Sequence, residues 1–200
     1  MSLAAKLDKL RAASAKRIPE YKRVIMGAAA KELAGSNIMN VVFKVGDRLP
    51  AFSLPNSFGE TIESSELLAV GPAVLTVVRS VWLPYCNAEL YALQAVNDQI
   101  EALGATIAAS TPQVPKKNQE MIDKNELSFD LLHDAGNTYA DKLGLRFSVP
   151  SVVQNFYNQF GIDSPGGNSD DSGTVPMPGR FVIDQGGIVR AIEVDPDYTR

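Results

Sequence analysis

Two runs without a charged residue, Ala73-Val74-Leu75-Thr76-Val77-Val78 and Ala105-Thr106-Ile107-Ala108-Ala109-Ser110, constrain this chain most. Each is short and made of β-branched or small residues, as strands buried on both faces of a sheet must be. Between them Cys86, Leu90, Leu93, Val96 or Asn97, Ile100 and Leu103 recur every three to four residues, with Asn87, Gln94, Asp98 and Glu101 opposite. That spacing predicts an amphipathic helix of about five turns, closed by Gly104. Strand, helix and strand in this order imply a right-handed βαβ unit and an α/β class of fold.

The junction between the first strand and the helix, Arg79 to Leu90, holds the only cysteine and the only tryptophan of the chain. Pro84 suits the first helical position, where its missing N–H is not needed. Cys86 then falls in the first turn, where free N–H groups and the helix dipole favour an anion. A lowered thiol pKa is expected there, with Arg79 adding positive charge. A thiolate so placed attacks a peroxide oxygen or a disulfide sulfur. The competing reading is a small hydrophobe plugging the buried edge of the helix, the commonest use of a free cysteine. The position after a strand and the proline two residues ahead favour the nucleophile.

Composition narrows the classes. With 200 residues, 45% of them hydrophobic, the chain can bury a core without disulfides or metals. A net charge of -4 argues against a general nucleic-acid binder. No apolar run reaches the roughly 20 residues of a membrane span. The first residues lack the apolar core of a signal peptide, so a cytoplasmic protein with a reduced thiol is expected. One cysteine excludes an internal disulfide, and one histidine, His133, excludes a multi-histidine metal site. No phosphate-binding loop or zinc motif is present, and no cofactor is expected.

Residues 1–40 read as a helical arm, broken at Pro19, with a second helix over about Glu20 to Leu33 that ends at Gly35. Residues 43–200 read as the domain. Val45 to Pro55 suits an edge strand, Asn56 to Glu60 a turn, and Ser64 to Leu68 a capped helical turn. Lys116 to Asn125 is a polar helix, Phe129 to Asp134 a short buried strand, Asn137 to Leu143 a helix closed by Gly144, and Val149 to Phe160 a helix. Gly161 to Gly173 reads as a mobile loop. Arg180 to Asp184 and Gly187 to Val194 form a hairpin about Gln185-Gly186. His133 reads as solvated or helix-capping, Tyr85 and Trp82 as core or pocket wall, and Tyr198 has no assigned role. Asp170-Asp171 lacks the spacing of a calcium loop.

The chain resembles the peroxiredoxin and alkyl hydroperoxide reductase family of the thioredoxin-fold superfamily. The resemblance rests on Val45-Gly46-Asp47-Arg48-Leu49-Pro50-Ala51-Phe52-Ser53-Leu54, on Phe129 to Asp134 followed by Tyr139 to Leu145, and on Phe181-Val182-Ile183-Asp184 with Gly187 and Arg190. Within the family, Trp82, Pro84, Tyr85, Cys86, Asn87, Glu89 and Leu90 are similar to a Trp-Cys-Pro-Tyr-Cys branch in which Leu83 replaces the first cysteine. The resemblance implies a thioredoxin-like fold with a central mixed sheet flanked by helices, preceded here by the helical arm.

It also implies a function. Cys86 falls on the peroxide-attacking cysteine, Leu83 on the Thr or Ser whose hydroxyl bonds thiolate and peroxide, and Arg79 on a proline. Pro178 falls on the family arginine, which in thioredoxin-like relatives is a cis-proline beside the active site. Arg180, two residues on, lies on the same side of an extended strand and is a candidate to supply the missing charge. The implied activity is a thiol peroxidase that reduces hydrogen peroxide or alkyl hydroperoxides through Cys86, regenerated by an external thiol such as thioredoxin or glutathione. Two alternatives stay open: a weak or silent relative acting as a redox sensor or binding protein, and thiol–disulfide exchange with partner proteins. A homodimer is the implied assembly.

Overall fold

A computed structural model describes residues 2–200 of the chain. Helices α1 (Leu3–Arg17) and α2 (Glu20–Gly35) divide at Pro19, which has no N–H to continue the first helix, and a short α3 (Ile38–Val41) follows. Strands β1 (Ser53–Pro55) and β2 (Thr61–Glu63) pair antiparallel. The Asn56 side chain holds their turn, accepting the N–H groups of Phe58 and Glu60, each at 3.0 Å. Helix α4 (Ser64–Val70) starts in a capping box between Glu63 and Glu66.

The rest comprises β3 (Ala73–Val77), α5 (Pro84–Gln94), α6 (Asn97–Ala102), β4 (Thr106–Thr111), α7 (Pro115–Asn125) and β5 (Asp130–His133). A single 3-10 turn leads into α8 (Thr138–Lys142), followed by β6 (Arg146–Ser148), α9 (Ser151–Gln159), α10 (Ser164–Asn168), β7 (Thr174–Pro176), β8 (Gly179–Ile183) and β9 (Val189–Val194). The main sheet runs β5-β4-β3-β8-β9. β3, β4 and β5 are parallel, and the β8–β9 hairpin is antiparallel, so the sheet is mixed as the resemblance implies.

Alternation along β3 divides the core. Leu75 and Val77 face a cluster with Phe52, Leu132, Leu143, Leu145 and Phe181. Val74 and Val78 face a second cluster with Cys86, Leu90, Leu93, Met121 and Leu131. Burying Leu90 and Leu93 contributes about 2 kcal/mol each. That ties α5 to the sheet along the stripe the sequence marks. Leu7 and Leu10 of α1 pack against this second cluster.

Three expectations change. The five-turn helix is two helices, because Val96 (φ -119°) leaves helical geometry between α5 and α6. The break lets Gln94 and Asn97 grip one residue: Gln94 Oε1 accepts the Ser128 N–H at 2.8 Å and Asn97 Nδ2 donates to Ser128 Oγ at 3.1 Å. The Gly161 to Gly173 loop contains α10, capped by Asp163 at the Gly166 N–H, with Asn168 buried and the Gly167 carbonyl accepting the Val114 N–H at 3.0 Å. A small β6–β7 sheet, not expected, joins Arg146–Ser148 to Thr174–Pro176 and carries the chain into β8.

Candidate active site

The site begins where β3 ends. The Val78 N–H still donates to the Ser110 carbonyl at 2.9 Å, and Arg79 and Ser80 are buried beyond it. The turn that follows is clamped from α7 and the loop before it. Gln113 Oε1, 1% exposed, accepts from Ser80 Oγ at 2.6 Å and from the Val81 N–H at 2.9 Å. Asn87 Nδ2 donates to the carbonyls of Val81 (2.7 Å) and Leu83 (2.9 Å), and Asn125 Nδ2 donates to Asn87 Oδ1 at 3.0 Å. Neither Gln113 nor Asn125 had a role in the sequence reading. Their only signal was a polar residue next to a strand end or on a helix, which is common.

Pro84 opens α5 as expected, Leu83 is its buried N-cap, and Cys86 is its third residue. The Arg79 N–H donates to Cys86 Sγ at 3.4 Å. Cys86 is 1% exposed, covered by the second core cluster. This decides the thiol. Burial pushes its pKa up to about 11, the nearby Glu89 carboxylate pushes the same way, and the Arg79 and Ser80 groups only partly offset them. The expected lowering is therefore overturned. A helix N-terminus contributes roughly 0.3–1 kcal/mol, whereas full desolvation of a charged group reaches several pKa units. The sequence showed the first effect and not the second.

The Arg79 side chain makes no hydrogen bond to the sulfur, and its charge only partly offsets the burial. Its Nε donates to the Pro176 carbonyl at 3.0 Å, and the guanidinium lies between the rings of Tyr198 (4.6 Å) and Phe147 (5.2 Å). Arg180, cross-strand partner of Thr76, does reach α5, but its Nη2 is held by Glu89 Oε1 at 2.6 Å. Thr76 Oγ1 donates to the same Glu89 oxygen at 3.0 Å. Arg180 thus neutralises Glu89 rather than serving the thiol directly. Pro178 is half-buried in the link between β7 and β8, and every peptide bond among the described residues is trans, so it is not a cis-proline.

Tyr85 is buried against Tyr198, ring centroids 5.8 Å apart, and Trp82 packs on Tyr157 at 5.1 Å. Tyr198 is thus part of the site's wall, which sequence reasoning missed. His133 lies half-buried at the end of β5, its Nδ1 without a partner. The capping is done by Asp134, whose carboxylate accepts the N–H groups of Tyr139 and Ala140, each at 2.8 Å.

A mixed sheet whose two inner parallel strands, β3 and β4, are joined through helices, with a cysteine in the first turn after β3, defines a thioredoxin-fold thiol protein of the peroxiredoxin class. The AhpC/TSA family model matches residues 45–192, and the chain belongs to that family. It is 29% identical over 107 residues to the peroxiredoxin bcp of Haemophilus influenzae, covering 50% of this chain and 64% of that protein. It is 24% identical over 102 residues to peroxiredoxin Bcp of Escherichia coli K12, covering 51% and 65%. The matches therefore span less than two thirds of these relatives. Among solved structures, peroxidoxin BcpB of Mycobacterium tuberculosis superposes with a TM-score of 0.63 at 20% identity, over 78% of this chain and 91% of that one. Reduced Prx3 of Vibrio vulnificus in complex with hydrogen peroxide superposes with a TM-score of 0.59 at 19% identity, over 77% and 88%. These establish the fold. No helix among the described residues is long and apolar enough to cross a membrane.

Proposed function

We propose that the protein is a thiol peroxidase that reduces hydrogen peroxide or alkyl hydroperoxides through Cys86. The observation that carries this is the sulfur's place in the first turn of α5, accepting the Arg79 N–H where the central strand ends. Family membership supports the same reading. The thiolate attacks one peroxide oxygen, the O–O bond breaks, and the alcohol or water leaves with a proton, giving Cys86 sulfenic acid. No second cysteine exists to resolve it. An external thiol of the thioredoxin or glutathione kind condenses with the sulfenic acid, releasing water, and a second thiol frees Cys86 as a disulfide forms. The reading takes 43–200 as the catalytic domain and 1–40 as an appended arm, in a cytoplasmic homodimer.

With the thiol buried and its pKa near 11, attack requires the covering elements to open first. That same burial, with an aliphatic Leu83 in place of a hydroxyl, favours a second reading: a slow relative that senses oxidant or exchanges disulfides with partners. The mass of the intact protein after one equivalent of hydrogen peroxide separates them. A gain of oxygen within seconds, absent in Cys86→Ser, supports the peroxidase. No gain over minutes sinks it.

A further inference from the structure

Arg79 is 3% exposed, yet it has no counter-ion: among the described residues no carboxylate forms an ion pair with it. Its single side-chain hydrogen bond uses Nε, so both terminal amino groups lack a protein acceptor. Stacking on Tyr198 and Phe147 offsets part of the cost of burying the charge. A buried cation is otherwise paired. Arg79 forms part of the lining of a cleft of about 190 Å³ between α2, α9 and the C-terminal tail, together with Phe147 and Tyr198, the two rings that flank its guanidinium. The other walls are mainly apolar, including Met26, Phe147, Val153 and Tyr157. Glu32 also lines the cleft but makes no ion pair with Arg79, so the guanidinium stays available.

We propose that this cleft binds a small amphipathic monocarboxylate, its head on Arg79 and its apolar body along Met26, Phe147, Val153 and Tyr157. A carboxylate matches a guanidinium fork and supplies the single negative charge the site lacks. A dianion would leave charge uncompensated against apolar walls. The volume exceeds the roughly 150 Å³ that houses a benzene ring, which suits an aromatic acid or a chain of about eight carbons. A larger cleft that shares Met26, Ala30, Tyr157 and Tyr198 continues from it beneath α1 and α2, leaving room for a longer tail. The site does not depend on turnover at Cys86, because binding alone reads it.

Titration calorimetry of the full chain with octanoate, and with neutral octanamide of the same shape, tests this. Octanoate is expected to bind at least tenfold tighter than octanamide, and Arg79→Met to lose that preference. Equal affinity for the two ligands, or no octanoate binding up to its solubility, overturns the proposal, as does undiminished octanoate binding by a folded Arg79→Met. If Arg79→Met does not fold, Ala30→Trp, at a half-buried position of the cleft wall, decides. Loss of octanoate binding with unchanged circular dichroism supports the site, and retained binding overturns it.

Discussion

Arg180 Nη2 lies 2.6 Å from Glu89 Oε1, joining the hairpin strand β8 to the helix that carries Cys86. Both side chains are mostly buried, and Thr76 on the central strand completes the group. Glu89 is close enough to raise the Cys86 pKa. Replacing Glu89 by Gln removes that negative charge, so the thiol pKa falls. Replacing Arg180 by Met leaves Glu89 unopposed, so it rises. Thiolate absorbance near 240 nm, followed against pH, reads both. Shifts of the same sign in the two variants would refute this coupling.

The buried thiol also makes stability depend on pH. Its folded pKa of about 11 lies above the ordinary 9.0, so the folded state keeps a proton that the unfolded chain releases. The contribution is complete below about pH 9 and is lost as pH rises towards 11, by roughly 2–3 kcal/mol in all. Tyr139 and Tyr198, also pushed up by burial, titrate higher still. Urea unfolding of wild type and Cys86→Ser between pH 7.5 and 10.5 isolates the cysteine. The stability difference between the two should move against wild type across that range, and a constant difference would contradict it.

Leu83 is buried at the N-cap of α5 and offers no hydroxyl to the turn. In Leu83→Thr a donor appears at the position that the family resemblance matches to a peroxide-bonding hydroxyl. We expect a rise of about tenfold or more in the rate of Cys86 oxidation, the scale of one well-placed donor. The cost is about 1–3 kcal/mol of stability for exchanging core packing for a hydroxyl. Stopped-flow oxidation and urea midpoints measure the two effects separately. An unchanged rate in a folded variant would mean that position 83 does not face the peroxide.

Gly144 closes α8 with φ +73°, and a Cβ there would come within 2.4 Å of the Val41 carbonyl. Gly144→Ala therefore strains the backbone and pushes α3 off the core. A loss of roughly 2–4 kcal/mol is expected, read as a lower melting temperature. A variant as stable as wild type would show that the end of the arm moves aside freely.

Much of this architecture is legible in one dimension. The uncharged runs at 73–78 and 105–110 are the central parallel pair, Pro84 opens the helix, and Gln185-Gly186 turns the hairpin. Local sterics and hydrophobic period fix these, and both are written in consecutive residues. The split of the long helix at Val96 escaped because Ser128, the residue that Gln94 and Asn97 hold across the break, lies some thirty residues away.

The site divides along the same line. By itself the sequence determined that Cys86 stands in the first turn of a helix after a buried strand, because a proline, a period and a strand are local facts. Which charge reaches the sulfur was settled only in three dimensions. Arg79, seven residues away, gives it a backbone N–H while its guanidinium turns to Pro176, Tyr198 and Phe147. Arg180 arrives on the neighbouring strand and is taken up by Glu89. The cover belongs to tertiary structure too: Leu7 and Leu10 from one end of the chain and Tyr198 from the other pack on the cluster around the thiol. Desolvation depends on what excludes water from a point, and those groups come from distant parts of the chain. The tertiary structure therefore set the sign of the Cys86 pKa shift.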